Sequence, residues 1–97
     1  MLETIGFAAI EAPAALGEWV LWFERAGTQV HLIKVETPAV PELGHAAFVA
    51  PDFETNVATL RERGFEVEEA RELWGEQRAF VSTPGGHRIE LMAAPPP

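Results

Sequence analysis

Residues 52–64 (DFETNVATLRERG) constrain the architecture more than any other stretch of this chain. Phe53, Val57 and Leu60 recur at helical spacing, while Glu54, Arg61, Glu62 and Arg63 fall elsewhere around the turn. Asp52 is a good N-cap, and Gly64 accepts the left-handed backbone that stops a helix. The spacing predicts a helix over 53–63. On its N-terminal side, 45–50 (HAAFVA) reads as a short buried strand. On its C-terminal side, 65–69 (FEVEE) alternates as a half-buried strand.

The remainder punctuates itself with glycine and proline. Residues 77–83 (QRAFVST) and 87–92 (HRIELM) read as strands joined by the tight turn Pro84-Gly85-Gly86, with a bend around Trp74-Gly75 before them. Upstream, 19–24 (WVLWFE) and 28–35 (TQVHLIKV) form a β-hairpin about Arg25-Ala26-Gly27. Residues 36–44 (ETPAVPELG), with two prolines, are a linker between two structural units. The first 17 residues are Ala-rich and fit neither strand nor full helix, so they are expected to be a loose lead-in with at most one short helical turn. The tail AAPPP is expected to fray. The order is thus an α+β one: a hairpin, then β-α-β-β-β over residues 44–92. The core of that module should draw on Phe48, Val57, Leu60, Phe65, Val67, Phe80, Ile89 and Leu91.

At 97 residues the chain is one small domain, 1–97. With 7 basic and 15 acidic residues its net charge is −8, which repels polyphosphate and an anionic bilayer surface, so neither nucleic acid nor membrane is an expected partner. No cysteine is present, which removes disulfides, thiolate metal sites and a thiol nucleophile. No apolar run approaches the ~18 residues needed to span a bilayer, and no secretory signal is visible, so a cytoplasmic protein is expected. There is no P-loop, dinucleotide fingerprint or Ser/His/Asp spacing.

The βαβββ order carried by GHAAFVAPDFETNVATLRERGFEVEE and FVSTPGGHRIEL resembles the vicinal oxygen chelate superfamily. That family includes glyoxalase I, the extradiol dioxygenases and the bleomycin and fosfomycin resistance proteins. Its domains usually contain two βαβββ modules curled around a metal or ligand cleft. The resemblance covers the second module, 44–92, and the last two strands of a first, 18–35. The chain resembles a member lacking the opening strand and helix. Family members commonly carry an Asp-Pro-x-Gly-Asn turn before the last strand. Here Thr83-Pro84-Gly85-Gly86-His87 replaces its Asp by Thr and its Asn by His.

The resemblance implies a site. Metal-dependent relatives draw one ligand from the first and one from the last strand of each module. Carried over residue by residue, these positions are His31, His45 and Glu90, and the fourth has no counterpart. Zn²⁺, Ni²⁺, Fe²⁺ or Mn²⁺ suits such donors, and two histidines with one carboxylate leave positions for two substrate oxygens. Glu90 is then the one candidate for a catalytic base. Strand alternation adds an independent reading: His31 shares a face with Gln29 and Ile33, and Glu90 with Arg88 and Met92, in each case the more polar face. His45, sharing its face with Ala47 and Val49, is the weaker case.

Bland readings stand beside these. His31 can pack at a cleft wall, His45 can cap its strand, and Arg88 can be the ion-pair partner of Glu90. His87 is a turn residue, Glu66, Glu68 and Glu69 are a solvated edge, and Trp19, Trp22 and Phe23 are core or dimer interface. Three functions follow: a metal-dependent enzyme acting on a small oxygen-bearing substrate, a metal-free protein of the bleomycin-resistance type sequestering an aromatic or cationic ligand in an acidic, Trp-lined dimer cleft, or an inactive remnant. Without covering neighbours, strand 19–24 and its apolar face predict a homodimer.

Overall fold

The computed structural model describes all residues, Met1–Pro97. The chain divides into two compact units, Met1–Pro38 and Ala39–Pro97.

The first unit begins with a 3-10 turn, Leu2–Ile5, followed by β1 (Ala8–Ile10), a second 3-10 segment (Ala14–Trp19), β2 (Val20–Arg25) and β3 (Thr28–Ile33). The three strands form an antiparallel sheet in the order β1-β2-β3. Ala26 and Gly27 take positive φ of 48° and 87°, the backbone of a two-residue hairpin loop whose twist matches that of the strands. The lead-in is therefore not loose. Leu2, Ile5 and Phe7 are buried, and Arg25 donates from Nη1 to the carbonyl of Ile5 at 2.8 Å with its guanidinium 4.7 Å above the Phe7 ring. A three-residue strand, Ala-Ala-Ile, carries too little pattern to announce itself. Its pairing with β2 makes it a strand.

The second unit contains β4 (Ala46–Val49), α1 (Phe53–Glu62), β5 (Glu66–Ala70), β6 (Arg78–Ser82) and β7 (Arg88–Met92). This is the βαβββ order, in a mixed sheet β4-β7-β6-β5 in which β4 runs parallel to β7 and the other pairs are antiparallel. The helix starts one residue after Asp52, but the cap is not the expected one. The Asp52 side chain makes no capping bond, and its carbonyl accepts from Asn56 N at 2.8 Å. Gly64 ends the helix at φ 87°, and Phe65 N returns to the carbonyl of Leu60. The final turn survives its substitutions because Thr83 Oγ1 accepts from His87 N at 3.1 Å, the local bond an Asp side chain would otherwise make. Ala93 and Ala94 are also tied down, by Gln77 and by Trp74 Nε1, so the tail is held as far as residue 94.

Strand register separates the two faces of this sheet. Ala79, Val81, Ile89, Leu91, Val67 and Phe48 share one face. Joining the two outer strands, α1 crosses that face, and Phe53, Val57 and Leu60 are buried together with Ala79, Val81 and Leu91. Of the expected core, Val57, Leu60 and Leu91 are buried, whereas Phe48, Phe65, Val67, Phe80 and Ile89 are half-buried. Nor is β4 a buried strand: at the sheet's edge, its Ala46 and Ala47 are exposed. Phe80 departs for a different reason, since register turns it to the opposite face with Glu90. No helix is long and apolar enough to cross a membrane.

Candidate functional site

The face turned away from α1 carries Arg78, Phe80 and Ser82 on β6, Arg88, Glu90 and Met92 on β7, Ala47 and Val49 on β4, and Glu66, Glu68 and Ala70 on β5. Glu90 lies at its centre, directly across from Phe80 on one side and Ala47 on the other. A carboxylate 7% exposed needs partners for both oxygens. His45, one residue before β4, places Nε2 2.9 Å from Oε1, and Arg78 donates from Nε to Oε2 at 2.8 Å. Arg78 also donates from Nη1 to the carbonyl of Arg71 at 2.7 Å. The His45 ring meets Phe80 edge-on, with centroids 5.1 Å apart.

His45 Nδ1 lies 2.9 Å from the carbonyl of Leu43. A carbonyl only accepts, so Nδ1 carries the proton. Glu90 ionised only accepts, so the 2.9 Å contact is a hydrogen bond when Nε2 also carries a proton and donates it to Oε1. The Leu43 carbonyl, followed by the Glu90 carboxylate, raises the His45 pKa above its usual 6.5. For Glu90, burial pushes the pKa up, but the bonds from Arg78 and His45 outweigh it and leave the carboxyl below its usual 4.5.

These opposite shifts define a stability window. The raised His45 contributes stability fully below pH 6.5 that is lost as pH rises through its folded pKa. The depressed Glu90 contributes stability above pH 4.5 that is lost as pH falls through its folded pKa. Stability from the pair is therefore expected to be greatest between those two values. Urea midpoints across pH 3–9 check this, and a His45→Gln variant should lose the decline on the alkaline side; an unchanged profile would remove His45 from the linkage.

The structure brings His45 and Glu90 together. His31 belongs to the first unit, on β3, where it stacks on Trp22 with centroids 3.7 Å apart and an interplanar angle of 3°. Its Nε2 bonds Gln29 Oε1 at 2.8 Å. Within the second unit no third His, Asp or Glu joins the pair. Arg88 is not the ion-pair partner of Glu90. Arg78 is, and the Arg88 guanidinium lies 4.1 Å above the Phe80 ring. Arg78 is the residue that a reading of the sequence misses, although a signal exists. A tight turn pairing Thr83 with His87 sets Phe80 opposite Glu90 and Arg78 two residues along the same face.

The second unit is thus a βαβββ module whose helix-free face gathers a histidine and a glutamate. The sequence model of the Glyoxalase/Bleomycin resistance protein/Dioxygenase superfamily matches residues 2–91, and the chain belongs to that superfamily. Among solved structures it is similar to a protein ascribed to the glyoxalase family from Bacillus anthracis, with 28% identity and a TM-score of 0.80 over 93% of this chain and 75% of that one. It shares the fold of the fosfomycin resistance protein FosX from Listeria monocytogenes, at 16% identity and a TM-score of 0.73, over 95% of this chain and 75% of that one. It also shares the fold of the oxidase ChaP-H2, at 18% identity and a TM-score of 0.73, over 97% and 79% of the two chains. No curated protein matches.

Proposed function

We propose that this chain is a divalent-metal-dependent enzyme acting on a small oxygen-bearing substrate at the Glu90 face. His45 and Glu90 are metal donors in this reading. The observation that carries it is the 2.9 Å approach of His45 Nε2 to Glu90 Oε1 while Nδ1 is held by a backbone carbonyl. Donors bound at ~2.0–2.2 Å to one ion lie within about 4.5 Å of each other, so this pair fits. Metal-bound imidazoles are characteristically oriented by such a carbonyl. Nitrogen and oxygen donors without thiolate suit Zn²⁺, Ni²⁺, Fe²⁺ or Mn²⁺. When bound, the ion supplies Lewis-acid polarisation of substrate oxygens. The chain's own residues do the rest. Arg78 fixes Oε2 and thereby aims Oε1, and Glu90, ionised at neutral pH, is the proton acceptor.

Metal content of protein purified without chelator, followed by calorimetric titration of the stripped protein with each ion, tests this. The expected result is uptake by the wild type and none by His45→Ala, with the fold intact because an exposed residue at a strand start packs little. Full occupancy in His45→Ala would overturn the site. A second reading, a metal-free binding protein of the resistance type, is supported by Arg78 already occupying Oε2 of Glu90. It predicts ligand binding with no metal uptake at all.

Homodimerisation belongs to the same proposal. Trp19 is 69% and Ile33 70% exposed, Leu21 and Leu32 lie exposed beside each other across β2 and β3, and the outer edge of β3 has no partner strand in its sheet. Sedimentation at micromolar concentration should give twice the chain mass, and Trp19→Glu should shift the population toward monomer. A stable monomeric wild type would refute it.

A further inference from the structure

Two arginines share the face on which Glu90 sits, and they are not equivalent. Arg78 is committed: its Nε serves Glu90 and its Nη1 the carbonyl of Arg71. Arg88 is exposed and lies above Phe80, and its guanidinium has no carboxylate within ion-pair distance. That is unexpected in a chain with 15 acidic and 7 basic residues. Register explains it. Ser82 is the neighbour of Arg88 on β6, and the acid in the same row, Glu66, is one strand further out on β5. Two strand spacings of ~4.8 Å separate their backbones. A cation resting on a ring face uses the π surface and leaves its in-plane N–H groups available. Those groups form a planar fork that matches a carboxylate or phosphoryl group.

We propose that Arg88 is the specificity-determining residue of this site, and that the small molecule taken at the Glu90 face carries a carboxylate or phosphoryl oxyanion bound by the Arg88 guanidinium above Phe80. The inference rests on the reading of that face as the ligand site, but not on a metal being held there. A net charge of −8 suits a cationic ligand, and Glu66 and Glu68 share this face, Glu68 directly across from Phe80. Arg88 is nevertheless a cation on it that no carboxylate pairs, whereas Glu90 is already bonded by Arg78 and His45.

The test titrates chelator-treated, ¹⁵N-labelled protein with methylphosphonate, acetate and tetramethylammonium at constant ionic strength, following the Arg88 side-chain Nε–H resonance. Saturable shifts with the two anions and none with tetramethylammonium are expected. Arg88→Gln should weaken anion binding at least tenfold, and Arg88→Lys should recover part of the loss, keeping the charge without the fork. Undiminished binding by Arg88→Gln, an equal response to chloride, or saturation by tetramethylammonium instead would overturn the proposal. Metal titration of the wild type is read separately. Metal uptake without anion binding refutes the Arg88 assignment alone, and anion binding without metal uptake refutes the metal reading alone.

Discussion

Replacing Leu60 by alanine is expected to destabilise the protein by about 2–5 kcal/mol, the range for a large-to-small change at a buried leucine. Leu60 is 0% exposed, and it lies on the helix face that also buries Phe53 and Val57. Its carbonyl receives Phe65 N as the chain leaves the helix for β5. The lost methyl groups would leave a cavity between the helix and the sheet. A 97-residue chain has a stability of only roughly 5–15 kcal/mol, so such a loss is a large share of the total. Chemical denaturation of the two proteins measures it. A change below about 1 kcal/mol would mean that α1 does not press Leu60 onto the sheet.

Glu90→Ala is expected to cost about 1–3 kcal/mol, the penalty for leaving a poorly solvated polar partner without its bond. The Arg78 side chain is 11% exposed, and without Glu90 its Nε faces a partnerless gap while His45 loses its acceptor. Arg78→Met removes the same interaction from the other end. In a double-mutant cycle the two changes should cost less together than their sum, because each abolishes the same bond. Strict additivity would show that the ion pair contributes nothing beyond its separate members. The same Glu90→Ala variant should lose metal uptake, so one substitution reads both the structural and the proposed functional role of this carboxylate.

Much of the second unit was legible in the chain. Gly64 closes the helix where a left-handed residue was expected, and the Pro84-Gly85-Gly86 turn joins the strands that flank it. Period and punctuation are local properties, which is why they read correctly. Local reading failed where pairing decides. Ala8–Ile10 lacks β-propensity and is a strand because β2 lies beside it. Asp52 stands at the helix start without making the side-chain bond for which its chemistry suits it. The core expectation took Phe80 as inward-facing and left out Phe53 and Val81, whereas Phe80 belongs to the helix-free face and the other two are buried.

The site divides along the same line. His45 and Glu90 could be named because the resemblance carries the family's ligand positions onto the order of strands. That they meet at 2.9 Å depends on β4 lying parallel beside β7, a contact between residues 45 positions apart that no local pattern specifies. The exchange of partners between Arg78 and Arg88 is likewise tertiary. Adjacency in sequence favours Arg88 as the partner of Glu90, but Arg78, diagonal across the ladder, takes the carboxylate while the Arg88 guanidinium lies over Phe80. Sequence by itself determined the hairpin and the elements of the second unit, since helix period, strand alternation and turn chemistry act within a few residues. The tertiary structure alone decided which charges touch, since strand register acts between segments that the sequence holds far apart.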